Sequence, residues 1–321
     1  MDRNLALEVV RATEAAALAS ARLMGRGDKD GSDRAAVEAM HRTLSGIAMA
    51  GEVVIGQGER SQAPLLYTGE KVGRARAGDP EIEIALVALE GTKLCATGAA
   101  NAISVIAMSE KGKLLRAPDL YMQKMAVGPA GYNAVDLTRP ARENLRRVAD
   151  VTGKYVEDLT VVILDRPRNE QVVREVREAG ARIKLIGDGD LAGALNTCFP
   201  ETGVDVLMGI GGAHEGVISA AALRCVGGSF QGRFVFRSPE EKERVRSMGI
   251  GDPDKVFEMD DLADGNVMFA ATGVTNGDFL KGVRFTGRGA VTHSVVMRSR
   301  TATVRFVETQ HHLEGKPSHG W

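Results

Sequence analysis

Residues 160–190 read TVVILDRPRNEQVVREVREAGARIKLIGDGD. Residues 160–164 are an apolar, β-branched run that is typical of a buried strand, and residues 182–186 form a second one. A helical pattern with a single valine-rich face lies between these runs and ends at Gly180. Strand, loop, helix and strand in this order predict parallel pairing through a crossover helix, and therefore an α/β fold.

The same order continues toward the C-terminus. Residues 204–210 form a third apolar run, and the glycine-rich segment 211–216 and a helix over residues 217–224 follow it. This rhythm predicts a largely parallel sheet in the second half of the chain. Ligands bind at the carboxyl edge of such sheets, so the polar segments that follow the three strands are candidate binding loops.

Each of these loops offers groups that suit a phosphosugar. Arg166 and Arg168 flank a proline, and two guanidinium groups at a strand end suit a phosphate, although two solvated arginines are the alternative. Asp188 and Asp190 suit sugar hydroxyls or a divalent cation. The glycines before the helix over residues 217–224, including Gly212, could expose backbone N–H groups to an anion or could simply form a tight turn.

The first half of the chain mixes both element types. Helices are predicted over residues 2–25 and 33–47, and strands over residues 52–56, 82–89 and 102–108, so this half should contain a mixed sheet. We expect an N-terminal half over residues 1–156 and a C-terminal half over residues 157–321 with no linker between them. The tail from residue 311 is polar and is predicted to be irregular.

Composition excludes several classes of function. The 41 basic and 42 acidic residues give a net charge of −1, so nothing indicates binding to nucleic acid or to a membrane surface. Charged residues interrupt the apolar positions near the N-terminus, where neither a signal peptide nor a spanning helix is predicted. Three widely spaced cysteines fit neither a disulfide framework nor a zinc knuckle. We expect a cytoplasmic protein.

Two further groups are candidates for chemistry. Glu90, Gly91 and Thr92 follow a buried strand and place a carboxylate and a hydroxyl side by side, although Thr92 could instead cap a helix. His214 precedes Glu215 and could act as a general base, or it could be an ordinary loop histidine.

Taken together, these segments resemble class II fructose-1,6-bisphosphatase over nearly the whole chain. The matching motifs are GRGDK at 25–29, VVIGQGERSQAPLLYTGEKVG at 53–73, LEGT at 89–92, APDLYMQK at 117–124, DRPR at 165–168, DGD at 188–190 and GIGGAHEGVISAAALRC at 209–225. Residues 268–285 and 301–311 are most similar to the branch that also accepts sedoheptulose 1,7-bisphosphate.

The resemblance implies a layered α/β/α/β/α sugar-phosphatase fold like that of the lithium-sensitive phosphatases, and a homo-oligomer, either a dimer or a tetramer. It implies hydrolysis of the 1-phosphate of a sugar bisphosphate by Mg²⁺ or Mn²⁺ and an activated water. The metal ligands carried over are Asp33, Glu90 and Glu215, and the catalytic residues carried over are Thr92 and Glu90. His214 joins these catalytic candidates because of its own chemistry, not because of the resemblance. The implied sugar and phosphate contacts are Gly91, Tyr121, Arg166, Arg168, Asp188, Asp190 and Gly212.

The chain departs from the family pattern at the metal side. The family loop G-E-G-E-x-D-E is Gly56 to Gln62 here, so Gln57 replaces a ligand glutamate. The family motif D-P-x-E-G-T begins with Val87 here, so a ligand aspartate is also missing, and His214 replaces a family proline. We expect Mg²⁺ or Mn²⁺ to bind weakly or not at all, unless Glu59, Glu81 or Glu83 compensates.

Three functional hypotheses follow from these departures. The first is a sugar-phosphate-binding family member whose hydrolysis is weakened, altered or lost. The second is a working metal-dependent phosphatase that uses substitute ligands. The third is a sensor without catalysis, or a partner subunit in a mixed oligomer.

Overall fold

The computed structural model of the chain describes residues 5–312, which fall into two compact units. Within this range, the first unit contains residues 5–114 and 265–312, and the second contains residues 115–264. These units do not coincide with the halves expected from the sequence, 1–156 and 157–321, because the chain leaves the first unit and later returns to it. The second unit is thus inserted into the chain of the first.

The first unit contains three helices and eight strands in the part of the chain that is described. With numbering that follows the whole chain, they are α1 (Leu5–Ala21), α2 (Lys29–Ser45), β1 (Ala50–Ile55), β2 (Lys71–Val72), β3 (Glu81–Glu90), α3 (Thr92–Thr97), β4 (Ile103–Glu110), β11 (Met268–Gly273), β12 (Arg284–Thr286), β13 (Gly289–Arg298) and β14 (Thr303–His312).

The sheet of the first unit is mixed, as the sequence predicts. Its strand order is β12-β13-β11-β4-β3-β1-β2, and β14 pairs with β13. The β1–β3 pair is parallel and the other pairs are antiparallel. Helix α1 buries a face of small side chains such as Ala12 and Ala16, and these belong to the same apolar core as Ile84 and Ile106 of the sheet. Small side chains allow the close packing that an aromatic-poor core requires.

The second unit contains six helices and six strands. They are β5 (Tyr121–Val127), α4 (Ala141–Thr152), β6 (Thr160–Leu164), α5 (Glu170–Ala179), β7 (Arg182–Ile186), α6 (Asp190–Asn196), β8 (Val206–Gly212), α7 (Ala213–Val226), β9 (Ser229–Val235), α8 (Pro239–Ser247), β10 (Phe257–Glu258) and α9 (Met259–Leu262).

The prediction of a largely parallel sheet in the second half is wrong. The strand order is β10-β9-β5-β8-β6-β7, and only β6 with β7 and β6 with β8 are parallel pairs. Strand β5 lies between β8 and β9 and is antiparallel to both. The pattern of strand, helix and strand therefore identifies the crossover units correctly, but it cannot show that an earlier strand separates β8 from β9. The sheet is mixed.

Several local predictions are confirmed. Strands β6 and β7 have the predicted bounds, and Gly180 ends α5 with a positive φ of 94°. Residues 211 and 212 end β8 instead of forming a loop. Of the tail predicted to be irregular, residues 311 and 312 belong to β14, and residues 313–321 lie outside the described residues. Over residues 5–312, no helix combines the length and the apolar character needed to cross a membrane.

Candidate functional site

In the first unit, the candidate residues begin where β3 ends. Glu90 is buried at 7% exposure, and the pairing of β3 with β4 is irregular between Val87 and Glu90. Such bulges re-aim the side chains that follow them. Gly91 has a φ of 79° and precedes Thr92, the first residue of α3. The left-handed backbone at Gly91 makes the sharp turn from β3 into α3, so Glu90 ends the strand and Thr92 begins the helix.

Asp33 lies on α2, in the same unit. The N-terminus of this helix is capped by Asp28, whose carboxylate accepts a hydrogen bond of 2.8 Å from the backbone N–H of Gly31. The backbone N–H groups of Gly25 and Gly27, which precede this helix, donate 2.9 Å hydrogen bonds to the carbonyls of Cys95 and Ala96 in α3. The sequence GRGDK is thereby anchored beside α3. Burial raises the pKa of the Asp33 carboxyl, while neighbouring Lys29 opposes that shift.

The two positions that depart from the family pattern lie in different kinds of segment. Strands β1 and β3 are parallel neighbours, with Ile55 paired to Ala85. Val87 lies within β3, whereas Gln57 lies in the loop after β1, where its backbone N–H donates 2.8 Å to the carbonyl of Leu66. The amide of Gln57 offers one neutral oxygen, whereas Val87 has no ligand atom. Among residues 5–312, no three side chains of His, Cys, Asp or Glu are grouped so that they could hold a metal ion.

In the second unit, the candidate binding residues surround the ends of β5 and β8. Tyr121 is paired with Gly212 on one side and with Val235 of β9 on the other. The guanidinium carbon of Arg168 lies 4.5 Å from the centroid of the Tyr121 ring, and Arg168 Nε donates a 2.9 Å hydrogen bond to the carbonyl of Ile210. The ring and the carbonyl fix the direction of this guanidinium and leave its terminal nitrogens for a ligand.

Arg166 and Asp188 are placed by backbone contacts. Arg166 donates 2.9 Å to the carbonyl of Asp165, next to it in the chain. Asp188 accepts a 3.1 Å hydrogen bond from the N–H of Gly189. Both side chains follow neighbouring parallel strands, β6 and β7, so both emerge at the same edge of the sheet.

A buried group of charges lies beside this edge. Lys124 of β5 is only 2% exposed, and its ammonium lies 2.5 Å from the carboxylate of Asp190 and donates 2.9 Å to the carbonyl of Gly212. Glu215, in the first turn of α7, completes the group. Burial and the neighbouring Asp190 raise the pKa of Glu215, and Lys124 opposes this shift. The ammonium of Lys124 therefore offsets the negative charge of both Asp190 and Glu215.

Two glycines permit this close arrangement. A Cβ at Gly211 would overlap a carboxylate oxygen of Asp190, and a Cβ at Gly212 would overlap a carboxylate oxygen of Glu215. Larger residues would displace both acids from their positions. The glycine pair is thus required by side chains that pack against the strand, in addition to any role in binding an anion.

His214 is held by the backbone of the same unit. Its Nε2 lies 3.0 Å from the carbonyl of Ala117. When Nε2 carries the proton and donates it to this carbonyl, Nδ1 is left as the acceptor. The contact gives the imidazole a defined direction.

Three residues of this edge were not identified as candidates from the sequence. Lys124 is a single lysine within an apolar strand. Asn169 joins β6 to β8, because its amide donates 3.0 Å to Leu164 and accepts 2.7 Å from the N–H of Ile210. Arg237 lies beyond β9 and places its guanidinium 5.5 Å from the Tyr121 ring centroid. Lys124 could have been recognised only because a lysine is unusual at a strand position that is expected to be buried.

Comparison with known proteins agrees with the resemblance. The family of bacterial fructose-1,6-bisphosphatases encoded by glpX matches residues 3–311. A D-fructose 1,6-bisphosphatase class 2/sedoheptulose 1,7-bisphosphatase of Synechococcus sp. (strain JA-3-3Ab) is 47% identical over 339 residues, covering 98% of each chain. A protein of the same name from Synechococcus elongatus is 46% identical over 334 residues, covering 97% of each chain. This chain belongs to the class II fructose-1,6-bisphosphatase family.

Proposed function

We propose that this family member binds a sugar phosphate through the second unit, and that its metal-dependent hydrolysis of a sugar bisphosphate is weakened, altered or lost. The observation that carries the proposal is the pair Gln57, in the loop that follows β1, and Val87, in the neighbouring parallel strand β3, which stand where the family pattern has two ligand carboxylates. The relatives are named for fructose 1,6-bisphosphate and sedoheptulose 1,7-bisphosphate, and we extend that substrate class to the binding side of this chain.

The binding side supports a phosphosugar through charge and orientation. Among the described residues, none contributes a carboxylate at ion-pair distance from Arg166 or Arg168. Arg168 is held in direction by Tyr121 and by a backbone carbonyl. A guanidinium that is oriented but lacks a carboxylate partner suits a phosphate. Asp188 and Asp190 supply acceptors for sugar hydroxyls, and Gly212 allows close approach of a ligand.

The metal side does not fit a two-metal centre of the family pattern. Two divalent cations about 3.5–4 Å apart need several anionic oxygens, because hard cations take oxygen ligands. Asp33, Glu90 and Glu215 remain as the carried-over carboxylates, while Gln57 offers a neutral oxygen and Val87 offers none.

The remaining groups are assigned to proton transfer and positioning. Thr92 presents a hydroxyl beside Glu90, and His214 offers an imidazole nitrogen of defined direction. His214 is assigned proton transfer on a phosphosugar bound to the second unit, as in isomerisation or elimination. We also propose the layered phosphatase fold, a cytoplasmic location and a homo-oligomer, each on the basis of the family.

The test compares phosphate release from both bisphosphates by the wild type and by the double variant Gln57→Glu plus Val87→Asp, over titrations of Mg²⁺ and Mn²⁺. The expected result is little or no release by the wild type and measurable turnover by the double variant. The matched control is Gln57→Glu plus Val87→Asn, which changes the same positions but leaves one carboxylate missing. Wild-type turnover at low metal concentration would contradict the proposal and favour substitute ligands.

Binding is tested separately from turnover. Arg168→Ala should weaken affinity for fructose 1,6-bisphosphate by roughly 1.5–3 kcal/mol, as expected for a hydrogen bond to a charged group. Arg177→Ala, on the exposed part of α5, is the control. Equal affinities of a folded Arg168→Ala variant and the wild type would remove Arg168 from the binding site. Tight binding without turnover in every variant would favour a sensor.

A further inference from the structure

We infer that Arg237 is a further phosphate-binding residue beside Arg166 and Arg168, which exchanges its contact with Glu241 for a phosphate oxygen of the bound phosphosugar. This inference rests on the proposed function and deepens it. Arg237 lies outside the motifs that carry the family resemblance, and its assignment comes from its position around Tyr121.

The first argument is the shared aromatic ring. The guanidinium carbons of Arg168 and Arg237 lie 4.5 Å and 5.5 Å from the centroid of Tyr121. A guanidinium that contacts a ring through its π-face keeps its N–H edge available for hydrogen bonds. Two cations are therefore held near one phenol ring, at the end of β5.

The second argument is the register of the sheet. Tyr121 is paired with Val235 and Gln123 with Arg233, so these side chains share one face of the β5–β9 pair. Arg233 donates 2.8 Å to the amide oxygen of Gln123. Arg237 follows Val235 by two residues. The end of β9 therefore adds basic groups to the same edge that carries Arg168.

The third argument is the partner that Arg237 has in this structure. Its Nε and a terminal nitrogen donate 2.8 Å and 2.6 Å to one carboxylate oxygen of Glu241. The side chain of Arg237 is 64% exposed, and exposed ion pairs contribute little to stability. A phosphate carries more charge than a carboxylate and accepts the same fork, so exchange of partners is favourable when a phosphosugar arrives.

The remaining charges near Arg237 have been considered in the same way. Asp119 lies close enough to raise the pKa of Arg237, though less than Glu241 does, and Arg244 lies near Glu241. Two acids thus face this group of arginines. Removal of the charge of Glu241 should leave Arg237 attracted more strongly to an added anion.

The experiment is calorimetric titration of the full chain with fructose 1,6-bisphosphate in EDTA, so that turnover does not interfere. Arg237→Ala should weaken binding roughly tenfold, in keeping with the loss of one charge-assisted contact at a partly exposed site. Arg237→Lys should retain part of the affinity, because the charge stays and the fork is lost. Glu241→Gln should strengthen binding about threefold, as expected when a competing exposed ion pair is removed.

Arg246→Ala is the matched control, since Arg246 is an exposed arginine of α8 that pairs with Glu243 at 2.9 Å. This variant should bind like the wild type. If Arg168→Ala weakens binding while Arg237→Ala stays within twofold of the wild type, the inference about Arg237 is overturned and the proposed binding site stands. If the wild type does not bind the bisphosphate at all, the proposed function fails, and the inference fails with it.

Discussion

Replacement of Lys124 by methionine should destabilise the second unit strongly. Lys124 is 2% exposed and its partner Asp190 is 8% exposed at the side chain, with 2.5 Å between the charged atoms. Removal of one member of a buried ion pair costs about 3–5 kcal/mol, because the other charge is left without a partner. Methionine retains most of the apolar stem, so lost packing contributes little.

The magnitude translates into a clear thermal shift. For a unit of about 150–250 residues, 1 kcal/mol lowers Tm by roughly 2–4 °C, so a loss of about 3–5 kcal/mol in Lys124→Met should lower the Tm of the second unit by roughly 6–20 °C. Calorimetry and circular dichroism at pH 8 measure this. In the double variant Lys124→Met plus Asp190→Asn the unpaired acid is gone, and the loss should be about 2 kcal/mol smaller than the sum of the single losses.

The pH dependence gives an independent check. Burial and Asp190 raise the folded-state pKa of Glu215, and Lys124 is the cation that opposes them. Without Lys124 the pKa of Glu215 in the folded state rises further above its value in the unfolded state. The folded protein then favours the protonated carboxyl, so its stability falls as the pH rises. The deficit of Lys124→Met should therefore be small near pH 4–5 and should grow as the pH rises toward 8. A Tm within 2 °C of the wild type at both pH values would refute the argument.

Three other predictions concern separate parts of the second unit. Gly128→Ala should cost about 2–4 kcal/mol of unfolding free energy in urea, because its Cβ would overlap a backbone carbonyl, whereas Gly187→Ala, which meets nothing within 4 Å, should be nearly neutral. Hydrogen bonds from Thr138 lower the pKa of Asp136 to about 2. Asp136→Asn should therefore lower the free energy of unfolding by about 1 kcal/mol above pH 4, after allowance for exposure, and should have almost no effect near pH 2. Urea unfolding measured as a function of pH tests this. Burial raises the pKa of Cys198 to about 12, so its alkylation by iodoacetamide at pH 8, followed by mass spectrometry, should be at least about 100-fold slower in the folded protein than in urea.

Local patterns predicted local structure well. The β-branched run at residues 160–164 and the valine face before Gly180 specify a strand and a helix through their own periodicity, and the structure confirms both. Strand pairing depends on groups that are distant in the chain. Nothing in residues 204–235 shows that β5 lies between β8 and β9, so the predicted parallel sheet was wrong.

The site followed the same division. Motifs gave the positions of Arg168 and Asp190, because these residues follow strand ends. Lys124 could not be identified as a partner of Asp190 from the sequence, since the two are brought together only by the pairing of β5 with β8, against which α6 packs. Arg237 was missed for a similar reason: its proximity to Tyr121 arises from the register of β5 with β9. The family resemblance suggested a role for each residue, whereas only the tertiary structure showed which residues lie next to each other.

The insertion of the second unit has a consequence during synthesis. Strands β4 and β11 are hydrogen-bonded neighbours, with Met108 paired to Met268, yet the whole second unit is translated between them. At about 5–20 residues per second, β4 waits for its partner for roughly 8–30 s on the ribosome. The second unit is one continuous stretch and can fold in that interval, while the central strands of the first unit remain incomplete and accessible to chaperones. The nascent chain should therefore complete the edge proposed to bind a phosphosugar before its first sheet closes.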